Sequence, residues 1–212
     1  MNFSKIKKYN TKQEKDILIE ILNNPDINNI DILKILDKKL YKKLKKNYLE
    51  ILDEVVESVI MYKRLISVSE IVEISSSCKK CKNVVFYSVN LKNAFKDFKE
   101  FFKNPFIDNK TNISDLSLEE IENIEKIFKQ YNKEIYNNEF EVKCNFCGNT
   151  EKIKIDIKKI ISKFSLKNIY EQYRDLSYYS SITKLDVDSM YPFEREIFMG
   201  LLQEKLKNKD NE

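Results

Sequence analysis

Four cysteines carry the one pattern in this chain whose residue types and spacing point to a defined chemistry. They form two Cys-x-x-Cys pairs, Cys78 and Cys81 in "SSSCKKCKN" and Cys144 and Cys147 in "KCNFCGNTE", with 62 residues between Cys81 and Cys144. A Cys-x-x-Cys turn presents two sulfurs at one tip. Two such tips together offer four thiolates in a tetrahedron, the closed coordination of structural zinc. Gly148 follows the second pair directly, where a tight turn calls for a positive φ. A structural Zn2+ on Cys78, Cys81, Cys144 and Cys147 is therefore expected. Three other readings stay open: two disulfides, a redox pair and an iron centre. Disulfides belong to oxidising compartments. A redox Cys-x-x-Cys opens a helix after a strand, whereas both pairs here lie between strand-like segments.

Four thiolates around a divalent ion leave a formal charge of −2. Lys79, Lys80, Lys82 and Lys143 stand beside the cysteines and can offset it; lysine is also common throughout the chain. With all four positions filled by protein, no place is left for water or substrate. Such a metal supports architecture, not catalysis. The chain has no histidine, which removes the commonest general base and the Ser-His and Cys-His nucleophile pairs. Two glycines cannot build a glycine-rich phosphate loop. The carboxylates are spread along helix surfaces without a convergent acid pair. These features predict a protein that is not an enzyme.

The elements that must position the cysteines are legible as changes of hydrophobic period. "TKQEKDILIEIL" reads as a helix with a capping box at Thr11 and Glu14. "NNPD" breaks it around Pro25, and helical spacing resumes at Ile32, Leu33, Leu36, Leu40 and Leu44. It resumes again in "YLEILDEVVESVIMYKRL". "EIVEISSS" and "NVVFYSV" then read as strands around the first cysteine pair, and "EFEVK" and "EKIKID" as strands around the second. Between them lie two helical stretches, "LKNAFKDFKEFF" and "SLEEIENIEKIFKQY", the latter with a capping box at Ser117 and Glu120. The chain closes with "IKKIISKF", "SLKNIYEQYRDL" and a helix beginning near Tyr191-Pro192. The expected fold is α+β and mostly helical. A four-cysteine zinc ribbon (69–90 and 138–160) carries a helical-hairpin insertion (91–137). A helical N-terminal region (1–68) and a helical C-terminal region (161–212) flank it.

The chain has 212 residues, 42% of them hydrophobic and 12% aromatic. That is enough to bury a core without staples. The net charge is +4, modest for a dedicated nucleic-acid binder. Arg64, Arg174 and Arg195 are the only arginines among 38 basic residues, so the bidentate fork that reads guanine edges is scarce. "KKLYKKLKK", residues 38–46, can meet phosphates or an anionic membrane surface, or pack Leu40 and Leu44 inward with its lysines solvated. The following Glu50, Asp53, Glu54 and Glu57 dilute its field. "MNFSKIKKYN" has no apolar stretch after its lysines, and no apolar run approaches a bilayer-spanning length. A soluble, intracellular protein without membrane attachment is expected.

Taken in order, "MYKRLISVSEIVEISSSCKKC", the helical insertion, "FEVKCNFCGNTEKIKID" and "YEQYRDLSYYSSITKLDVDSMYPFEREIF" resemble the baseplate hub assembly proteins of T-even-type contractile-tailed bacteriophages. That family tends to carry an arginine and a Ser-x-Gly-Glu stretch before the first cysteine pair. Arg64, Ser67 and Glu70 match, and Ser69 stands in the glycine position. Lys79 and Asn145 occupy positions that are often proline, and Pro192 lies one place later than in the related Met-Pro-x-x-Glu-Arg pattern. The resemblance implies a zinc-binding, non-enzymatic factor or chaperone of tail and baseplate morphogenesis. Its partners would be hub or tape-measure proteins, in the host cytoplasm during assembly or in the virion tail. A zinc-ribbon nucleic-acid-binding protein, accessory to transcription or replication, is the alternative; sequence-specific binding is not expected. The apolar stripe Met190, Tyr191, Phe193, Ile197, Phe198 and Leu201 is the candidate partner surface, because aromatics enrich interface cores and amphipathic helices are common docking elements. The same stripe can instead complete the core.

Overall fold

A computed structural model describes residues 6–47, 53–95 and 136–209. The predicted insertion falls largely outside the described residues, as do its capping box at Ser117 and Glu120 and the apolar positions 48, 49 and 52. Within the described residues the chain is a mixed fold dominated by helices, with two small antiparallel sheets.

Three helices come first: α1 (Thr11–Asn23), α2 (Asn29–Asn47) and α3 (Asp53–Ser67). The predicted cap of α1 is shifted by one residue. Asn10 is the N-cap, and its side chain and that of Gln13 form the reciprocal box. Thr11 and Glu14 face inward and are fully buried. In α2 the backbone becomes extended at Asp37, and the Asp37 carboxylate accepts from Leu40 N at 2.9 Å, restarting the helix as an internal cap. Ile32, Leu33, Leu36, Leu40 and Leu44 are all buried, so the lysine-rich stretch packs its leucines inward, as one of its two readings required. α3 contributes Val56, Val59, Ile60 and Met61 to the same core.

Strands β1 (Ile71–Ser77) and β2 (Val84–Asn90) form one hairpin, and β3 (Glu139–Lys143) and β4 (Thr150–Lys154) the other. Their side chains alternate with period two. Val72, Val85, Tyr87 and Val89 point into the core, while Glu73, Ser75, Val84 and Phe86 point out. After β2 the chain makes a 3₁₀ turn, Leu91–Ala94, in place of the predicted helix start. Asn90 caps that turn, and Phe95 then extends to bridge Tyr136. Asn137 N donates to Ala94 O at 2.9 Å. The two ends of the segment between 95 and 136 are thus held side by side.

Four helices follow: α4 (Ile157–Ile160), α5 (Leu166–Ser180), α6 (Lys184–Ser189) and α7 (Pro192–Lys209). The helix predicted from "IKKIISKF" stops after one turn. Ser162 Oγ accepts from Phe164 N and shares its single proton between Glu14 and Phe164 O, so side-chain bonds replace the helical ladder there. α7 begins at Pro192, whose missing N–H costs nothing in a first turn. Ile169, Tyr173, Leu176, Val187 and Leu202 form a second core, and Leu18 of α1 packs against both cores. Among the described residues no helix is long and apolar enough to cross a membrane.

Candidate functional site

Each hairpin ends in a six-residue turn that begins with one cysteine and holds the second three places later: 78–83 between Ser77 and Val84, and 144–149 between Lys143 and Thr150. The two turns share one hydrogen-bond scheme. Cys78 N donates to Asn83 O at 2.9 Å, and Cys144 N to Asn149 O at 2.8 Å. Lys82 N donates to Cys78 O and Gly148 N to Cys144 O, both at 2.9 Å. Closing this scheme takes a left-handed residue directly after the second cysteine. Gly148 adopts it at φ 69° without a side-chain penalty, and Lys82 adopts it at φ 63°.

The tips meet in antiparallel fashion. Cys78 Sγ lies 3.7 Å from Cys147 Sγ, and Cys81 Sγ lies 3.7 Å from Cys144 Sγ. All four sulfurs fall within 4.8 Å of one another, and all four thiols are free. A tetrahedral centre with metal–sulfur bonds of about 2.3 Å has sulfur–sulfur edges of about 3.8 Å. The four predicted ligands are therefore brought together in a cluster compatible with a metal ion.

Backbone polarity and neighbouring sulfurs set Cys78 and Cys81 apart. Backbone N–H groups of Cys81 and Lys80 are directed at Cys78 and help hold its thiol down to about 7. Cys81 receives the Asn83 N–H, which lowers its pKa, but burial and the three neighbouring sulfurs outweigh this and push it up to about 12. Sulfurs this close compete for a single negative charge, and a cation among them removes the competition. Two more polar groups adjoin the cluster. Tyr87 OH and Glu151 Oε1 are buried without a hydrogen-bond partner among the described residues. Burial, then Glu151, then the cysteines raise the Tyr87 pKa. Orphaned donors and acceptors beside ligating atoms are the groups that orient ligands in an outer shell. The donor set and its surroundings fit a metal. Lys79, Lys80, Lys82 and Lys143 are exposed around it.

The six residues of the candidate partner surface divide into two groups. Met190, Tyr191 and Phe193 serve an internal joint. Met190 O accepts from Thr11 N at 2.8 Å and from Thr11 Oγ1 at 2.9 Å. The Tyr191 and Phe193 rings stack with centroids 5.9 Å apart, and Lys8 Nζ lies 4.3 Å from the Phe193 centroid. Ile197, Phe198 and Leu201 face outward, at 56%, 42% and 57% exposure, while Leu202, one turn after Phe198, is core.

A second polar centre carries no sequence motif. Arg195 is fully buried and ion-paired to Glu14 at 2.9 Å. It also donates to Thr11 Oγ1 at 2.9 Å and to Gln172 Oε1 at 2.7 Å, while Ser162 donates to the other Glu14 oxygen. The one signal that could have flagged it is rarity. Two of the three arginines, Arg64 and Arg195, are buried, where a planar fork of five donors serves several acceptors in fixed directions.

Compared with known proteins, the chain matches no family model, no curated sequence and no solved structure.

Proposed function

We propose that the chain is a non-enzymatic assembly protein that acts through protein–protein contacts. In this reading Cys78, Cys81, Cys144 and Cys147 hold one structural zinc, and the two hairpins form a zinc ribbon interrupted by the 91–137 insertion. The observation that carries the contact role is the outward stripe of Ile197, Phe198 and Leu201. Three neighbouring apolar side chains on one helix face, with the opposite face already in the core, form a patch suited to an apolar partner. The likeness of the sequence to baseplate hub assembly proteins supplies the identity of that partner. It is a hub or tape-measure protein of a contractile-tailed phage, engaged in the host cytoplasm or in the tail.

Two measurements test the reading. Elemental analysis of purified protein should return one zinc per chain; a folded sample holding iron, or no metal and two disulfides, removes the zinc ribbon. Ile197→Asp should leave the melting temperature within a few degrees of wild type, because more than half of that side chain is already solvated, and should lose the partner in a pull-down against hub and tape-measure proteins. A variant that keeps its partner rejects the stripe as the surface.

One observation favours a second reading, a zinc-ribbon nucleic-acid binder. Phe86 and Phe146 are 74% and 67% exposed on the two hairpins, in a region where Lys79, Lys80, Lys82 and Lys143 are exposed. Exposed aromatics near basic groups are the elements of a stacking platform for single strands. A gel-shift titration decides between the two: sequence-selective binding tighter than about 10⁻⁶ M at physiological salt, below the non-specific range, would replace the assembly reading.

A further inference from the structure

Arg64 sits in the last turn of α3 and is 2% exposed. Its Nε donates to Ile160 O at 2.7 Å, and its Nη1 donates to Ser69 O. Both acceptors are neutral carbonyls. Among the described residues no carboxylate lies within ion-pair distance of it. The two nearest in effect, Glu14 and Glu196, are already committed, Glu14 to Arg195 and Ser162, and Glu196 to Lys163. Buried charges are normally paired, because the loss of hydration is otherwise uncompensated. Arg195 obeys that rule and Arg64 does not.

Arg64 lines a cleft of about 580 Å³ between the α3–β1 connection, β1, α4 and the segment after it. Lys159 and Lys163 line it too, Glu73 is the one carboxylate in its wall among the described residues, and Ile71 and Phe164 give it an apolar side. Basic groups outnumber acidic ones in the wall, and the volume suits a small organic ligand. The carbonyls take two of the five N–H groups of the fork, and the other three have no acceptor among the described residues and can meet the oxygens of an anion.

We propose that this cleft binds an oxyanion, a carboxylate or a phosphate, carried on an apolar body. The anion would complete the pairing that Arg64 lacks, Lys159 would add a second charge, and Ile71 and Phe164 would cover the body. The site uses neither the cysteines nor the α7 stripe, so it stands or falls separately from the assembly role.

Benzoate and phenyl phosphate, titrated in turn into the ¹⁵N-labelled full chain, test it by amide shifts. Saturable shifts at Ser69, Glu73, Lys159 and Phe164 are expected, weakened severalfold in Lys159→Gln, whose exposed side chain can change without unfolding. Arg64→Lys keeps the charge and loses the fork, and should abolish the shifts; should that variant fail to fold, Lys159→Gln carries the test. Tighter binding of phenyl phosphate assigns a phosphate ligand, and tighter binding of benzoate a carboxylate. The proposal is overturned if neither probe saturates, or if the shifts spread over surface lysines and are unchanged in Lys159→Gln.

Discussion

The cysteine cluster and the Arg195 centre do the same structural task by different chemistry. Each joins parts of the chain that lie far apart in sequence. Sulfurs bring residue 78 to residue 147, and an ion pair brings residue 14 to residue 195. The cluster consists of four like groups that repel once ionised, a repulsion that a bound cation would remove. The Arg195 centre holds its own counter-charge and hydrogen-bond partners, except at Nη2, which is buried without one among the described residues. If the cluster holds a metal, as proposed, one end of the molecule depends on metal supply and the other does not.

The largest effect expected from breaking this comparison is at the sulfurs. Cys144→Ser, or removal of metal by a chelator, should release both hairpins together, because each turn supplies two ligands to one ion. On the proposed shared ion, hydrogen exchange should then rise across β1–β2 and β3–β4 while α5 and α7 stay protected. Loosening of one hairpin alone would show that the tips do not share an ion.

Next in size is the charged centre. Arg195→Met leaves Glu14 buried without its cation, and breaking such a pair on one side costs about 3–5 kcal/mol. Denaturant unfolding should show that loss at any metal concentration, whereas the loss in Cys144→Ser should vanish when wild type is compared without metal. Equal metal dependence in the two variants would collapse the distinction.

A smaller effect separates the two turns themselves. Lys82 holds a left-handed φ that disfavours a Cβ, so Lys82→Gly should stabilise the chain by up to about 1 kcal/mol. Gly148→Ala should destabilise it by a similar amount. A Cβ there would meet Lys143 Cε at 3.9 Å, ordinary contact, so the cost is backbone strain and not a clash.

The smallest effect concerns a joint of intermediate kind. Glu57 on α3 accepts from Asn138 and Tyr136, neutral donors, and burial raises its pKa. The folded state therefore holds a proton at Glu57 more tightly than the unfolded chain does. Its contribution is most favourable at acid pH and falls as pH rises from the ordinary glutamate value through the raised one. Glu57→Gln should remove that fall. The test is the difference in urea midpoint between wild type and variant across the acid range, which cancels the opposite trend of carboxylates such as Asp186, whose pKa hydrogen bonds from Thr183 lower. A difference that does not change with pH would exclude a raised Glu57.

Much of the cysteine end was legible in the sequence. Spacing named the four candidate ligands, β-branched and aromatic runs marked strands around both cysteine pairs, and Gly148 marked the second turn. Lys82 was not legible, because the geometry of its turn overrides residue preference. The helical end was legible as helices but not as a site. Thr11 and Glu14 satisfy the pattern of a capping box, yet Asn10 and Gln13 do the capping and leave Thr11 and Glu14 free for Arg195. The stripe on α7 was legible as apolar, but not which of its members would face solvent.

The sequence by itself determined what depends on near neighbours or on a residue type that nothing else replaces: the ligands, the strand alternation, the helix periods. Tertiary structure alone decided which polar groups are buried together. The Glu14–Arg195 pair spans 181 positions, the arrest of α4 follows from Ser162 turning to Glu14, and the unpaired charge of Arg64 exists only because two carbonyls and a cleft close around it. No local pattern encodes these, because their energies come from desolvation, and desolvation is set by what packs above a group and not by what stands beside it in the chain.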